Sequence, residues 1–166
     1  MAERELRYFG DPVLKTACDP VTRFDKAVEQ LVTDLLDSVQ PAGRAGLAAP
    51  QIGVGLRVFS YDVEGLTGYV INPELVEVSE ATHEIGEGCL SVPELRFPVT
   101  RAKHAVVRGV DLRNEPVLVE GEDVLAQCLQ HETDHLHGIL YLDRLATDPK
   151  REALRQARKK DWFWHR

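Results

Sequence analysis

The sequence contains no apolar run near the ~18 residues that a membrane span requires. Its opening residues, Met-Ala-Glu-Arg-Glu-Leu-Arg-Tyr, carry no apolar segment of signal-peptide type. Three cysteines, Cys18, Cys89 and Cys128, cannot all pair and are too few for a disulfide framework. Basic residues are outnumbered, 20 against 27, and the net charge of −7 argues against a body built to hold nucleic acid. There is no internal repeat, no low-complexity stretch and no linker. What remains is 166 residues, 43% of them apolar, enough to bury a core as one domain. The expectation is a soluble, cytoplasmic chain with no membrane or specific DNA partner, in which a cysteine is free to do chemistry.

The charge is unevenly placed. Residues 149–166 hold seven Lys/Arg and two acids, so the acidic excess lies entirely in residues 1–148. The expected organisation is a catalytic domain over 1–148 and a basic, aromatic-ended tail over 149–166. Val28, Leu31, Val32, Leu35, Leu36 and Val39 form one stripe at helical spacing, which predicts a helix over 25–39, stopped by Pro41-Ala-Gly43. Gly46-Leu-Ala-Ala-Pro-Gln51 reads as a tight loop or close-packed strand. Short β-branched and aromatic runs at 58–61, 69–71, 76–78, 105–108 and 117–119 predict strands, with separations that favour antiparallel pairing. Further helices are expected over 122–137, closed by Gly138, and over 150–160. The fold class is α+β, with antiparallel sheets around a central helix, an N-terminal helix and a basic C-terminal helix.

That central helix carries His131-Glu132-Thr133-Asp134-His135. Residues four apart share a helix face, so both imidazoles can meet one divalent ion, with Glu132 beside them to handle a water proton. Two histidines do not complete a catalytic site, and a third protein ligand is expected. Asp143 downstream and Cys89 upstream are both candidates; His137, two residues past His135, should face away. Cys89, in Glu87-Gly88-Cys89-Leu90-Ser91 and read as lying between glycine-containing turns, offers a thiolate suited to a borderline metal. The plain alternative is a small buried core residue. Gln51 follows small residues that let backbone approach a ligand, so its amide can face a developing oxyanion; a solvated turn residue is the plain alternative. Cys18 reads as structural. Cys128, one turn before His131, should line the same cavity without reaching the metal. His83, His104 and His165 read as solvated or packed.

Together, Gly46-Leu-Ala-Ala-Pro-Gln51, Glu87-Gly88-Cys89-Leu90-Ser91 and Gln130-His131-Glu132-Thr133-Asp134-His135 resemble the three signature motifs of the peptide deformylase family. The similarity runs from Gly10-Asp11-Pro12-Val13-Leu14 to about Leu145. It implies removal of the formyl group from the N-terminal methionine of nascent bacterial proteins, with release of formate. It implies Cys89, His131 and His135 as metal ligands, Glu132 as general acid/base, and Gln51 with the Leu90 backbone N–H as the oxyanion hole. Gly46 and Glu87 would border the substrate channel, with Arg96 near its mouth and Gln127 and Cys128 in its lining. The implied ion is Fe²⁺, with Zn²⁺, Ni²⁺ or Co²⁺ as substitutes. Two departures concern the channel: Arg44 replaces the first glycine of the first motif, and Gln127 stands where the family has an apolar residue. Two competing readings are a zinc endopeptidase, which would want its third ligand downstream, and a metal-stabilised binding module, which would lack Glu132 or Gln51. The basic tail, ending in Trp162, Phe163 and Trp164, reads either as a solvated helix whose aromatics fold back or as a docking element for the ribosome.

Overall fold

Asp25 accepts hydrogen bonds from the Ala27 and Val28 backbone N–H groups, and helix α1, Lys26–Val39, starts from this cap. The computed structural model describes residues 3–165; Met1-Ala2 and Arg166, counted above in the opening segment and the basic tail, lie outside the described residues. After α1 come β1 (Gly46–Ala48), a 3₁₀ turn over Ala49–Ile52, β2 (Val58–Val63) and β3 (Leu66–Val78). Then follow β4 (Thr82–Cys89), β5 (Val92–Ala102), β6 (His104–Val110), β7 (Pro116–Glu122) and α2 (Asp123–Leu136). A 3₁₀ turn over Tyr141–Arg144, α3 (Thr147–Ala157) and the single turn α4 (Asp161–Trp164) end the described chain.

Five strands form one antiparallel sheet in the order β1-β2-β3-β6-β7, and β4 pairs with β5 as a separate hairpin. Strand alternation decides which helix covers which face. Leu47, Val58 and Ile71 pack with the α1 stripe of Val28, Leu31, Val32, Leu35 and Val39. Their neighbours Ala48, Phe59 and Val70 point the other way and pack with Leu125, Ala126, Leu129 and Leu136 of α2. A third core joins the hairpin to the C-terminal region through Val92, Leu95, Val99, Leu140, Tyr141, Ala153 and Ala157. Among the described residues no helix is long and apolar enough to cross a membrane.

Several elements differ from the sequence reading. The runs at 69–71 and 76–78 belong to a single strand, β3. Pro73 lies between the two runs; Asn72 before it adopts a left-handed backbone (φ 51°), and the pairing with β6 shifts register there. The Asn72 side chain holds Val21 through both its N–H and its C=O. Strands β4 and β5 carry charges, glycines and prolines in place of an apolar alternation, so the sequence left them unmarked. Cys89 is the last residue of β4, one position before the two-residue turn Leu90-Ser91; it does not lie between turns. The C-terminal helix starts at Thr147, ahead of the expected Lys150, and its Ala153 and Ala157 are fully buried.

Gly138 closes α2 with φ 73°, and a Cβ there would stand 2.7 Å from the Lys15 carbonyl carbon and oxygen. Both the left-handed backbone and the close approach exclude a side chain. Gly138→Ala should therefore cost about 1–3 kcal/mol, read as a lower urea midpoint at unchanged slope.

Candidate metal centre and its pocket

Helix α2 packs against β1, β2, β6 and β7, and residues 125–136 are buried on it with the sole exception of Gln127. Gln130 pins the helix to the end of β5: its amide donates to the Ala102 and Ala126 carbonyls and accepts from the Ala102 N–H. That anchoring fixes the next residue, His131, and its partner one turn on. His131 Nε2 and His135 Nε2 stand 3.1 Å apart, and Cys89 Sγ lies 3.4 Å from His135 Nε2. All three donor atoms fall within 4.8 Å of one another. The edges of a tetrahedron built on usual metal–nitrogen and metal–sulfur bonds are ~3.3–3.6 Å, so the triad fits a divalent ion. Asp143 is excluded as third ligand: it accepts from Lys15, Lys150 and the Leu140 N–H. His137 is exposed, as its spacing required.

The electrostatics agree with a cation site. Burial favours neutral imidazole, yet Cys89 and Glu87 hold the His131 pKa well above its usual value. Burial and the neighbouring His131 push His135 well below. The two imidazoles thus favour opposite charge states, and a cation held between them would take the place of the His131 proton. His131 Nδ1 lies 3.0 Å from Glu87 Oε1. The carboxylate accepts that N–H and leaves Nε2 free as a donor atom. Burial would raise Glu87, but His131 and Arg101 bring it below the usual carboxylate range. Arg101 is itself buried and donates to both Glu87 oxygens and to Asp134; Asp134 also accepts from Arg144. The resulting chain Arg144–Asp134–Arg101–Glu87–His131 was not foreseen. The sequence motifs contain Glu87, His131 and Asp134 but gave no sign that they are linked; nothing near Arg101 marks it as buried.

Glu132 does not join this chain. It is 3% exposed, and its Oε2 has no hydrogen-bond partner. Burial pushes its carboxyl up to about 7, with His131 opposing and Glu87 reinforcing. Gln51 sits in the turn after β1, also buried. Its Oε1 accepts from the Ala48 N–H, while Nε2 donates to Ser91 Oγ at 3.2 Å and faces Cys89 Sγ at 3.6 Å. Ser91, which the sequence reading gave no separate role, is thus the resting partner of that amide. A cavity of about 630 Å³ opens onto these groups and is lined by Gly46, Gln51, Glu87, Cys89, Leu90, Arg96, Gln127, Cys128, His131 and Glu132. Every site residue that the family resemblance implies, except His135, lines it, and His135 joins through the donor triad. Arg44 is turned along the rim, donating to the Ser38 carbonyl and pairing with Glu3. Cys128 donates to the Ala45 carbonyl, and burial beside Glu132 and Glu87 pushes its thiol well up.

A cysteine–histidine–histidine donor set with an unpartnered carboxyl at its side, on a mixed helix and antiparallel-sheet fold, defines a metal-dependent hydrolase. The family can be stated more narrowly. The profile of the polypeptide deformylase family matches residues 3–151. The chain is 52% identical to the peptide deformylase of Acidothermus cellulolyticus over 98% of its own length and 89% of that protein's. It is 47% identical to that of Parafrankia, with the same two coverages. The crystal structure of a peptide deformylase from Legionella pneumophila superposes with a TM-score of 0.89 at 38% identity, over 95% of both chains. This chain belongs to the polypeptide deformylase family, and its activity is removal of the N-terminal formyl group from nascent polypeptides.

Gly46 backs directly onto Glu132. A Cβ on residue 46 would stand 2.6 Å from Glu132 Oε1 and 2.8 Å from Cys128 Sγ. Gly46→Ala should displace the carboxyl and lower formate release about 10²-fold, the effect of a misplacement near 1 Å, while bound metal per chain stays at the parent value.

Proposed function

We propose that the pocket hydrolyses the formyl group with Cys89, His131 and His135 as metal ligands, Glu132 as general acid/base, and Gln51 with the Leu90 backbone N–H as oxyanion donors. The observation that carries this reading is the buried Glu132 carboxyl, with one oxygen unpartnered and a pKa near 7, beside three converging donor atoms. A carboxyl so poised can take a proton from water and return it to a leaving amine near neutral pH. An ion held by Cys89, His131 and His135 would supply Lewis acidity near that pH. The donor set accepts several divalent ions, Fe²⁺, Zn²⁺, Ni²⁺ and Co²⁺ among them; ferrous iron is our reading for the cell.

The chain's own residues do the rest. Glu87 keeps the His131 tautomer. Gln51 Nε2 gives up Ser91 Oγ for the substrate carbonyl, and each such donor contributes about 3–4 kcal/mol at the transition state. Gly46, Glu87, Arg96, Gln127 and Cys128 border the channel. A formyl group is smaller than any acyl residue, so close walls around the triad turn away ordinary amides. Gln127 Nε2 is buried without a partner, which makes the methionine pocket more polar than an aliphatic lining. The zinc endopeptidase reading loses its support, since the one convergent third donor lies upstream, at Cys89.

Glu132→Gln should keep its metal and lose about 10²–10⁴-fold in formate release from formyl-Met peptides. Metal analysis of the same anaerobic preparation reads the ion, with iron expected. An inactive variant that has also shed its ion would reassign Glu132 to the ligand set.

We also propose that the protein acts in the cytoplasm and meets the ribosome through its basic tail. Arg151, Arg158 and Lys159 lie exposed on and just after α3. Truncation is a poor test, because Ala153 and Ala157 belong to the third core. Charge reversal at Arg151, Arg158 and Lys159 together should leave hydrolysis of short peptides near the parent rate and weaken co-sedimentation with ribosomes at low salt. Unchanged sedimentation would remove the docking reading.

A further inference from the structure

The N-terminal segment runs along the pocket and is tied to two neighbouring segments beside it. The Arg7 N–H donates to the Gln51 carbonyl at 2.7 Å, and the Phe9 N–H donates to the Ser91 carbonyl at 2.8 Å. Between these two bonds stands Tyr8, which lines the pocket together with Leu6, Pro93 and Glu94. The backbone of this strap is therefore fixed, but neither of these bonds holds the Tyr8 ring.

The C-terminal turn α4 does. The Tyr8 and Trp162 rings lie 6.0 Å apart at 43°, and the Phe9 and Phe163 rings 6.2 Å apart at 26°. Trp162 and Phe163 are themselves edge to face at 6.1 Å. Lys160, at the start of the same turn, pairs at 3.5 Å with Glu94, another residue of the pocket lining. Glu94 holds a left-handed backbone, φ 66°, so that wall too departs from a relaxed strand. The C-terminal turn and the residue before it thus reach two residues of the pocket lining, Tyr8 and Glu94.

We infer that Trp162 is a positioning residue for substrate: it holds Tyr8 in the channel wall, where the peptide beyond the formyl-methionine runs. The inference rests on the channel reading above. The cavity is of a size that holds more than one residue of peptide, and Tyr8 is the side chain common to the cavity lining and the aromatic cap. Trp162 Nε1 is buried without a partner, so the indole acts through its ring face and not through a hydrogen bond. Phenylalanine should therefore replace it, and alanine should not.

The test compares a formyl-Met tripeptide with a formyl-Met amide on the metal-loaded full chain. Trp162→Ala should raise KM for the tripeptide about 2- to 12-fold, the worth of one aromatic pair. It should leave kcat and bound metal near the parent values and change KM for the amide less. Trp162→Phe should restore most of the loss. Tyr8→Ala should reproduce it, and the double variant Tyr8→Ala with Trp162→Ala should be no worse than either alone. Trp162→Leu, which keeps apolar volume without an aromatic ring, serves if Trp162→Ala does not fold. Unchanged KM, or loss of kcat on both substrates in step with a lowered Tm, or additive single effects would overturn the inference. Failure of the parent chain to release formate would instead overturn the reading of the pocket.

Discussion

The buried pair between Arg101 and Glu87 is the interaction on which the site depends. Arg101 is 5% exposed and Glu87 3%, and the guanidinium meets both carboxylate oxygens. Two ions taken out of water are costly unless every donor and acceptor is matched. Here the matching extends outwards: Asp134 takes the other side of Arg101, and Arg144 closes the chain at the surface. Two cations and two anions alternate, so the interior carries no net charge from them. The four groups come from β5, β4, α2 and the turn after α2. Electroneutrality in the core is thus also the restraint that docks the β4–β5 hairpin on the motif helix, and with it brings Cys89 to His131 and His135.

The same restraint explains why neighbouring carboxyls behave so differently. Glu87 is buried but paired with Arg101 and His131, and it stays ionised. Glu132 is equally buried, has no such partner, and rises towards neutrality. Environment alone separates a carboxyl held ionised from one pushed towards neutrality. Had Arg101 lain between the two acids, both would be fixed anions and neither could exchange a proton near pH 7.

Legibility in the sequence followed the range of the interactions. The α1 stripe and the His131–His135 spacing are set by neighbours within one or two turns, so periodicity reports them. Gln51 and Cys89 were visible as candidates because small residues and a free thiol are unusual where they stand. Choosing Cys89 over Asp143 was beyond spacing, since the two differ only in what the tertiary fold brings to the helix. Strands β4 and β5 escaped because their outward faces carry charge and their inward residues, Val92, Leu95 and Val99, meet a separate core. Alternation against a shared sheet is the signal a strand usually gives, and this hairpin has no third strand. The ion chain escaped for a related reason: one arginine in a strand looks solvated until two acids from elsewhere surround it.

The C-terminal region shows how one segment can carry two opposite faces. Its basic residues and high helix propensity suggested a solvated appendage. The helix is amphipathic in a narrow sense: Ala153 and Ala157, four apart, give a smooth strip that fits against the third core, with Lys150 tied to Asp143 at one end and Lys160 to Glu94 at the other. Small residues on the inner face let the helix approach closely, and charge is kept for the outer face and the ends. The aromatics then fall where the chain turns back over Tyr8 and Phe9. Packing and exposed charge are therefore not competing descriptions of this tail. Burial of one face is what holds the other in a fixed orientation relative to the pocket.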